Sequence, residues 1–181
     1  MVMAQRIGWG VAVFVLACGL LPGVARAGQA HGQSRGQAAF DMAAEEIGPL
    51  RLGLDADKAR QAVSCPAKAG KEFYEGATGD YVREERFPGC GLTLKLAGSR
   101  KGGPKTVAAI TAQAPCALTT SHGVGIGATE AQLAAAYGKY QDEDGLSETG
   151  KTFIVGSIYS GLIFELRNGR VTRMFLGAAA E

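Results

Sequence analysis

Residues 123–138, GVGIGATEAQLAAAYG, constrain the chain more than any other stretch. They join a short apolar strand, Val124 and Ile126, to a helix, and the junction residues say why the change falls there. Thr129 can turn its hydroxyl onto the free N–H groups of the first helical turn, while Gln132 reaches back as in a capping box. A helix is therefore predicted from 130. Leu133, Ala134 and Tyr137 form its narrow apolar stripe, and Gly138 is expected to close it in the left-handed conformation. All of this specifies architecture; no comparable stretch carries chemistry.

The N-terminus reads as an export signal. Met1 to Arg6 is a short n-region, Ile7 to Leu21 is an apolar run short for a membrane span, and Ala25-Arg26-Ala27 is an A-x-A cleavage site. Residues 1–27 are thus a signal peptide, with an uncleaved anchor or a lipobox ending at Cys18 as the alternatives. Arg6 and Arg26 leave with it, so the 19 basic residues of the chain fall into balance with its 17 acidic ones. Without a basic excess, nucleic acid and anionic membrane are poor partners, and no membrane insertion of the mature chain is expected. In an exported compartment two of Cys65, Cys90 and Cys116 can pair. A hairpin would bring Cys90, opening one strand, beside Cys116, following the next, so the expected disulfide is Cys90–Cys116 with Cys65 free. Ligation of a metal by the three thiols lacks any C-x-x-C spacing to support it.

Residues 28–46 are expected to form a flexible N-terminal segment, Gly/Gln-rich at its start, and 47–181 a single domain. Ile47 to Leu54 alternates as a short strand, Asp55 caps a helix carrying Ala59, Ala62 and Val63, and Pro66 stops it. Residues 67–80 read as a loop with Phe73 and Tyr74 turned inward. Tyr81 to Phe87 reads as a charged edge strand, and Leu92, Leu94 and Leu96 point inward from the next. The 98–105 loop leads to a strand from Val107 to Ala114. Thr152 to Tyr159, Gly161 to Arg167 and Arg170 to Leu176 complete the strands, with Asn168-Gly169 as a type I′ turn. That turn predicts the pairs Leu166 with Val171, Phe164 with Arg173 and Leu162 with Phe175.

Leu52-Gly53-Leu54-Asp55 aligns with Ile126-Gly127-Ala128-Thr129, and GLTLKL at 91–96 with GLIFEL at 161–166 at nearly the same spacing. The expected fold class is α+β, built from two repeats (47–116 and 123–177). Each is a short helix packed on an antiparallel β-sheet of three to four strands. On Gly53-Leu54-Asp55 and Gly127-Ala128-Thr129 the chain resembles the β-lactamase-inhibitor-protein-like modules of exported bacterial proteins, which include small outer-membrane assembly lipoproteins. Its 123–138 segment and its GLIF…NG hairpin are also similar to small bacterial secreted proteins of unknown function. These motifs span about half the mature chain and imply a scaffold rather than an activity.

Four groups of residues invite a functional reading. Gly123-x-Gly125-x-Gly127 precedes a helix, as a phosphate loop does, but lacks the G-x-G-x-x-G spacing and a βαβ setting. Asp142, Glu143, Asp144 and Glu148 share a glycine-containing loop, the composition of a weak calcium site at 142–148 without its twelve-residue ligand spacing. Ser121-His122 suggests a nucleophile and its base, yet neighbours on an extended chain point to opposite sides. Tyr140 and Tyr159, with Arg100 and Lys101 on the exposed loop, are the candidate partner-binding residues, since tyrosines on rigid elements give large contact area at small entropic cost. The reading is an exported, non-catalytic binding module in the periplasm or outside the cell, its partner another exported or envelope protein, with no cofactor. The alternatives are a small secreted hydrolase using Ser121 and His122, or a calcium-dependent module.

Overall fold

The computed structural model describes residues 39–142 and 152–179. The expected signal peptide over 1–27, with Cys18, residues 28–38 and the acidic positions from Glu143 to Glu148 lie outside these residues. What is described is an α+β fold with two α-helices set against an antiparallel sheet.

The chain enters through β1 (Glu46–Ile47) and β2 (Leu50–Arg51), which pair Ile47 with Leu50 around Gly48-Pro49. The single strand expected over 47–54 is therefore a tight hairpin. Pro49 offers no N–H to a ladder, and the Gly48 N–H donates instead to the Thr119 carbonyl at 2.8 Å. Helix α1 (Ala56–Ala62) follows, capped by Asp55, whose carboxylate accepts from the N–H groups of Asp57 and Lys58. Ala56, Ala59 and Val63 bury its inner side.

The large sheet holds β3 (Lys68–Ala69), β4 (Phe73–Glu75), β5 (Asp80–Phe87), β6 (Leu92–Gly98), β7 (Thr106–Gln113), β8 (Thr152–Gly156), β9 (Gly161–Arg167) and β10 (Arg170–Gly177). Its order is β3-β5-β6-β7-β10-β9-β8, with β4 also on β5. Two three-strand meanders thus meet through the antiparallel β7–β10 pair. Leu92, Leu94, Leu96, Ile110, Leu162, Phe164, Met174 and Leu176 line one face and, with Ile47, Leu50 and Leu133, form one core. Fully burying each such side chain is worth roughly 1.5–3 kcal/mol. Helix α2 (Glu130–Tyr137) lays Leu133 and Tyr137 on that face, the Tyr137 ring 5.5 Å from that of Phe164.

Both helices dock by the same backbone pattern. The Gly53 N–H donates to the Val107 carbonyl, the Val107 N–H to the Leu54 carbonyl and the Ala56 N–H to the Lys105 carbonyl. In the second half the Gly127 N–H donates to the Val171 carbonyl, the Val171 N–H to the Ala128 carbonyl and the Glu130 N–H to the Gly169 carbonyl. Each G-x-(D/T) segment therefore seats its helix at the start of one of the two central strands.

Several local expectations give way. Residues 124–126 form no strand and keep one isolated bridge, Thr119 with Gly125. Gly138 is right-handed, because a 3₁₀ turn (Gly138–Tyr140) prolongs α2, and Ala134 faces out. Residues 67–80 contain β3 and β4, so β5 is covered on its outer side rather than lying at the edge. Strand β8 stops at Gly156, short of Tyr159. In the last hairpin Leu166 pairs with Val171 as expected, but a bulge at Thr172 shifts the rest: Glu165 faces Arg173, Phe164 Met174 and Leu162 Leu176. That shift keeps Arg173 off the core face and sends Met174 and Leu176 into it.

The disulfide joins Cys65 to Cys90, and Cys116 is a buried free thiol. The expected Cys90–Cys116 bond is not formed. Cys90 lies in a 3₁₀ turn (Pro88–Cys90) ahead of β6, where the chain leaving α1 brings Cys65 against it. Gly91 is needed beside it: its φ is +62°, and a Cβ there would stand 2.0 Å from the Gln113 carbonyl oxygen.

Candidate functional site

The registers carry distant residues to one end of the sheet. Residues 99–105 join β6 to β7 at that end and present Arg100 and Lys101 to solvent. Strand β10 runs antiparallel to β7, so Gly177, which pairs with Gly161, arrives at the same end. The 157–160 turn bearing Tyr159 lies just beyond, tied down by the Ala179 N–H to the Ile158 carbonyl. Strand β4 arrives there too, because Phe73 pairs with Val82 and Val82 with Ala97. Phe73, Tyr74 and Tyr159, at 55%, 58% and 66% exposure, are the large apolar side chains left open among the described residues. Phe73 and Tyr74 were expected inward; on a short outer strand they have only β5 beneath them, and Tyr74 rests on the Tyr81 ring at 5.3 Å. Tyr140 is half-buried instead, packed on Phe40 with Lys139 over its ring.

Beneath the 99–105 loop lies a cleft of about 490 Å³ lined by α1 residues and by Glu72, Arg83 and Lys105. Two of its lining residues, Arg60 and Arg83, converge on Glu85, which is 1% exposed. Glu85 accepts two hydrogen bonds from Arg60, at 2.7 and 2.8 Å, and one from Arg83 at 2.7 Å. Burial pushes the Glu85 carboxyl up, but the hydrogen bonds and charge of Arg60, joined by Arg83, outweigh it and hold it below the ordinary range. Arg60 also meets Asp57 one turn back. Lys105, buried, stands 2.7 Å from Glu72, whose other oxygen accepts from the Gly102 N–H at 2.8 Å. Lys105 and that N–H likewise lower Glu72.

No family model, curated protein or solved structure matches the chain.

A second cluster surrounds Ser121 and His122, over a cleft of about 220 Å³ also lined by Phe40, Glu45 and Tyr140. Buried Glu45 organises it. One oxygen accepts from the Ser121 N–H at 2.9 Å and the Glu46 N–H at 3.2 Å; the other lies 3.7 Å from His122 Nδ1. Ser121 Oγ accepts from the Glu46 N–H at 3.1 Å, so the hydroxyl oxygen is engaged with backbone. His122 rests on Tyr137, ring to ring at 4.8 Å. Burial raises the Tyr137 phenol above its ordinary range, with Thr120, Glu45 and the His122 backbone around its hydroxyl. Glu45 was missed from sequence, because Ser121, whose N–H it accepts, is 76 residues away.

Asp142 is the one member of the expected calcium site within the described residues, and its N–H donates to the Ile154 carbonyl. Gly123, Gly125 and Gly127 shape the turn into α2. Among the described residues no group of three or more His, Cys, Asp or Glu is placed to hold a metal, and no helix is long and apolar enough to cross a membrane.

Proposed function

We propose that the chain is an exported binding module that captures another exported or envelope protein with the sheet end carrying the 99–105 loop and Tyr159. The observation that carries this reading is the gathering of Phe73, Tyr74 and Tyr159, all exposed, with Arg100 and Lys101 at that end. Exposed aromatics and arginine are the residues that anchor protein interfaces. From β5 to β8 the end spans six strands, about 24 Å at the usual strand spacing, the scale of a standard interface patch.

The two meanders, each with its capped helix, are read as copies of one plan, supported by the matching three-bond docking of Gly53 and Gly127. On that plan the 99–105 loop stands where the second half has only the turn Asn168-Gly169. An enlarged connection on one copy of a duplicated scaffold is where function is grafted. The chain thus follows the β-lactamase-inhibitor-protein-like modules it resembles in scaffold, with its own loop as the contact element. A hydrolase using Ser121 and His122 is less well supported, because Ser121 Oγ is held by the Glu46 N–H.

The test is capture from envelope extract and culture fluid by the exported protein and by an Arg100→Ala, Lys101→Ala, Tyr159→Ala variant. A protein retained by the first and lost by the second supports the reading; equal retention overturns it.

A further inference from the structure

The cleft over Ser121 and His122 has two carboxylates in its wall, Asp41 and Glu45, and three rings, those of Phe40, His122 and Tyr140, with no lysine or arginine among them. The rings stand close together, Phe40 at 5.8 Å and His122 at 6.5 Å from Tyr140 between centroids. Glu45 is 3% exposed and only half satisfied. One oxygen takes the Ser121 and Glu46 N–H groups; the other, Oε2, has no hydrogen-bond donor, since His122 Nδ1 at 3.7 Å stands beyond reach. Among the described residues the side-chain atoms both sealed from solvent and unbonded are Arg83 Nε, Lys105 Nζ and the Tyr137 hydroxyl, so Glu45 Oε2 opens to the cleft. Asp41 is exposed, with one oxygen turned back to the Ala43 and Ala44 N–H groups. Lys139 lies over the Tyr140 ring but pairs with neither carboxylate. A carboxylate oxygen deep in a wall without a donor is unfavourable, and the faces of the rings beside it attract a cation. About 220 Å³ admits one side chain rather than a drug-sized molecule.

We propose that this cleft is a recognition site for a primary alkylammonium group. The ammonium donates to Glu45 Oε2, the alkyl stem lies against Phe40 and Tyr140, and Asp41 adds a second negative charge. The cleft adjoins the turn that carries Tyr159: a Cβ at Gly156 would stand 3.1 Å from Phe40 Cδ1, and Ser160 Oγ lies 3.5 Å from Met42 Sδ. Its occupant is accordingly a lysine side chain of the captured protein. That source rests on the protein-binding reading above, while the chemistry of the cleft stands apart from it.

The probe is lysine amide acetylated on its α-nitrogen, and the same compound acetylated on both nitrogens is its neutral control. Binding is followed by the amide resonances of Glu46 and Ser121 in the purified protein. Saturable shifts with the ammonium compound alone are expected, with at least tenfold weaker binding in Glu45→Gln, which keeps an oxygen for those two N–H groups. Tyr140→Leu, expected to weaken binding at least threefold, reads the same site if Glu45→Gln does not fold. Equal or non-saturating shifts with the two compounds, or unchanged affinity in the variant that folds, overturn the proposal. Tighter binding of the matching arginine compound overturns the ammonium assignment. Capture competed by a saturating concentration of the probe supports a protein lysine as the occupant; capture unaffected by it overturns that source and leaves a free amine. Probe binding without any captured protein supports the cleft and removes the protein-binding reading; capture without probe binding does the reverse.

Discussion

Glu85 receives the Arg60 guanidinium through two nitrogens, Nε at 2.7 Å and a terminal nitrogen at 2.8 Å, and so clamps α1 onto β5. Because the Glu85 carboxyl is held below its ordinary value of 4.5, its contribution is complete above that value and is lost as pH falls through the lower folded one. Glu85→Gln is expected to lower stability by about 2–3 kcal/mol at neutral pH, under the fully buried range because Arg60 is one-third exposed. Urea unfolding across pH checks it: the gap between wild type and variant narrows as pH falls below the ordinary carboxyl value and through the lower folded one. A gap constant with pH would count against the clamp.

The Cys65–Cys90 bond closes a segment with a sequence separation of 25. Replacing both with alanine is expected to cost about 3 kcal/mol, mainly through the freed unfolded chain. Cys116 is buried, and burial raises its thiol further, so a thiol reagent should label it only after unfolding. A peptide map showing Cys90 linked to Cys116 would refute the pairing.

How much of this was legible depends on how local each signal is. Thr129 and Gln132 form the capping box they spell, Asp55 caps α1, and Asn168-Gly169 makes its turn with Asn168 at φ 52°. Leu92, Leu94 and Leu96 turn inward because period-two alternation needs no distant partner. The bulge at Thr172 was hidden because one extra residue swaps Arg173 and Phe175 for Met174 and Leu176 on the core face, a choice made by the packed sheet. The cysteine pairing and the role of Glu45 were likewise set by where separate segments return. Of the candidate site, Arg100, Lys101 and Tyr159 were named from sequence, but the cleft beside them was not. Its Arg60 and Arg83 come from α1 and β5 and its Glu72 and Lys105 from two separate connections, and each reads in the sequence as an ordinary surface charge.

The capping box makes a direct prediction for α2. Thr129→Ala removes the acceptor for the Gln132 N–H and should destabilise the protein by about 1 kcal/mol. Leu133→Ala, at a fully buried position, should cost about 3 kcal/mol. Equal effects of the two in thermal unfolding would mean that the helix is not held by its buried face.

Glu45 is expected to act as a structural anchor. Glu45→Ala leaves the Ser121 N–H without its acceptor and should cost about 2 kcal/mol. Ser121→Ala should leave the protein's rate on a chromogenic ester at the level of wild type. A Ser121-dependent rate that is also lost in His122→Ala would restore the hydrolase.

The most direct measurement is the affinity of the captured protein, by calorimetry, for wild type and for the Arg100→Ala, Lys101→Ala, Tyr159→Ala variant. The account predicts at least a hundredfold loss, about 2.7 kcal/mol, with an unchanged melting temperature, since all three side chains are exposed. Equal affinity of the two proteins would contradict it and move the working surface elsewhere on the fold.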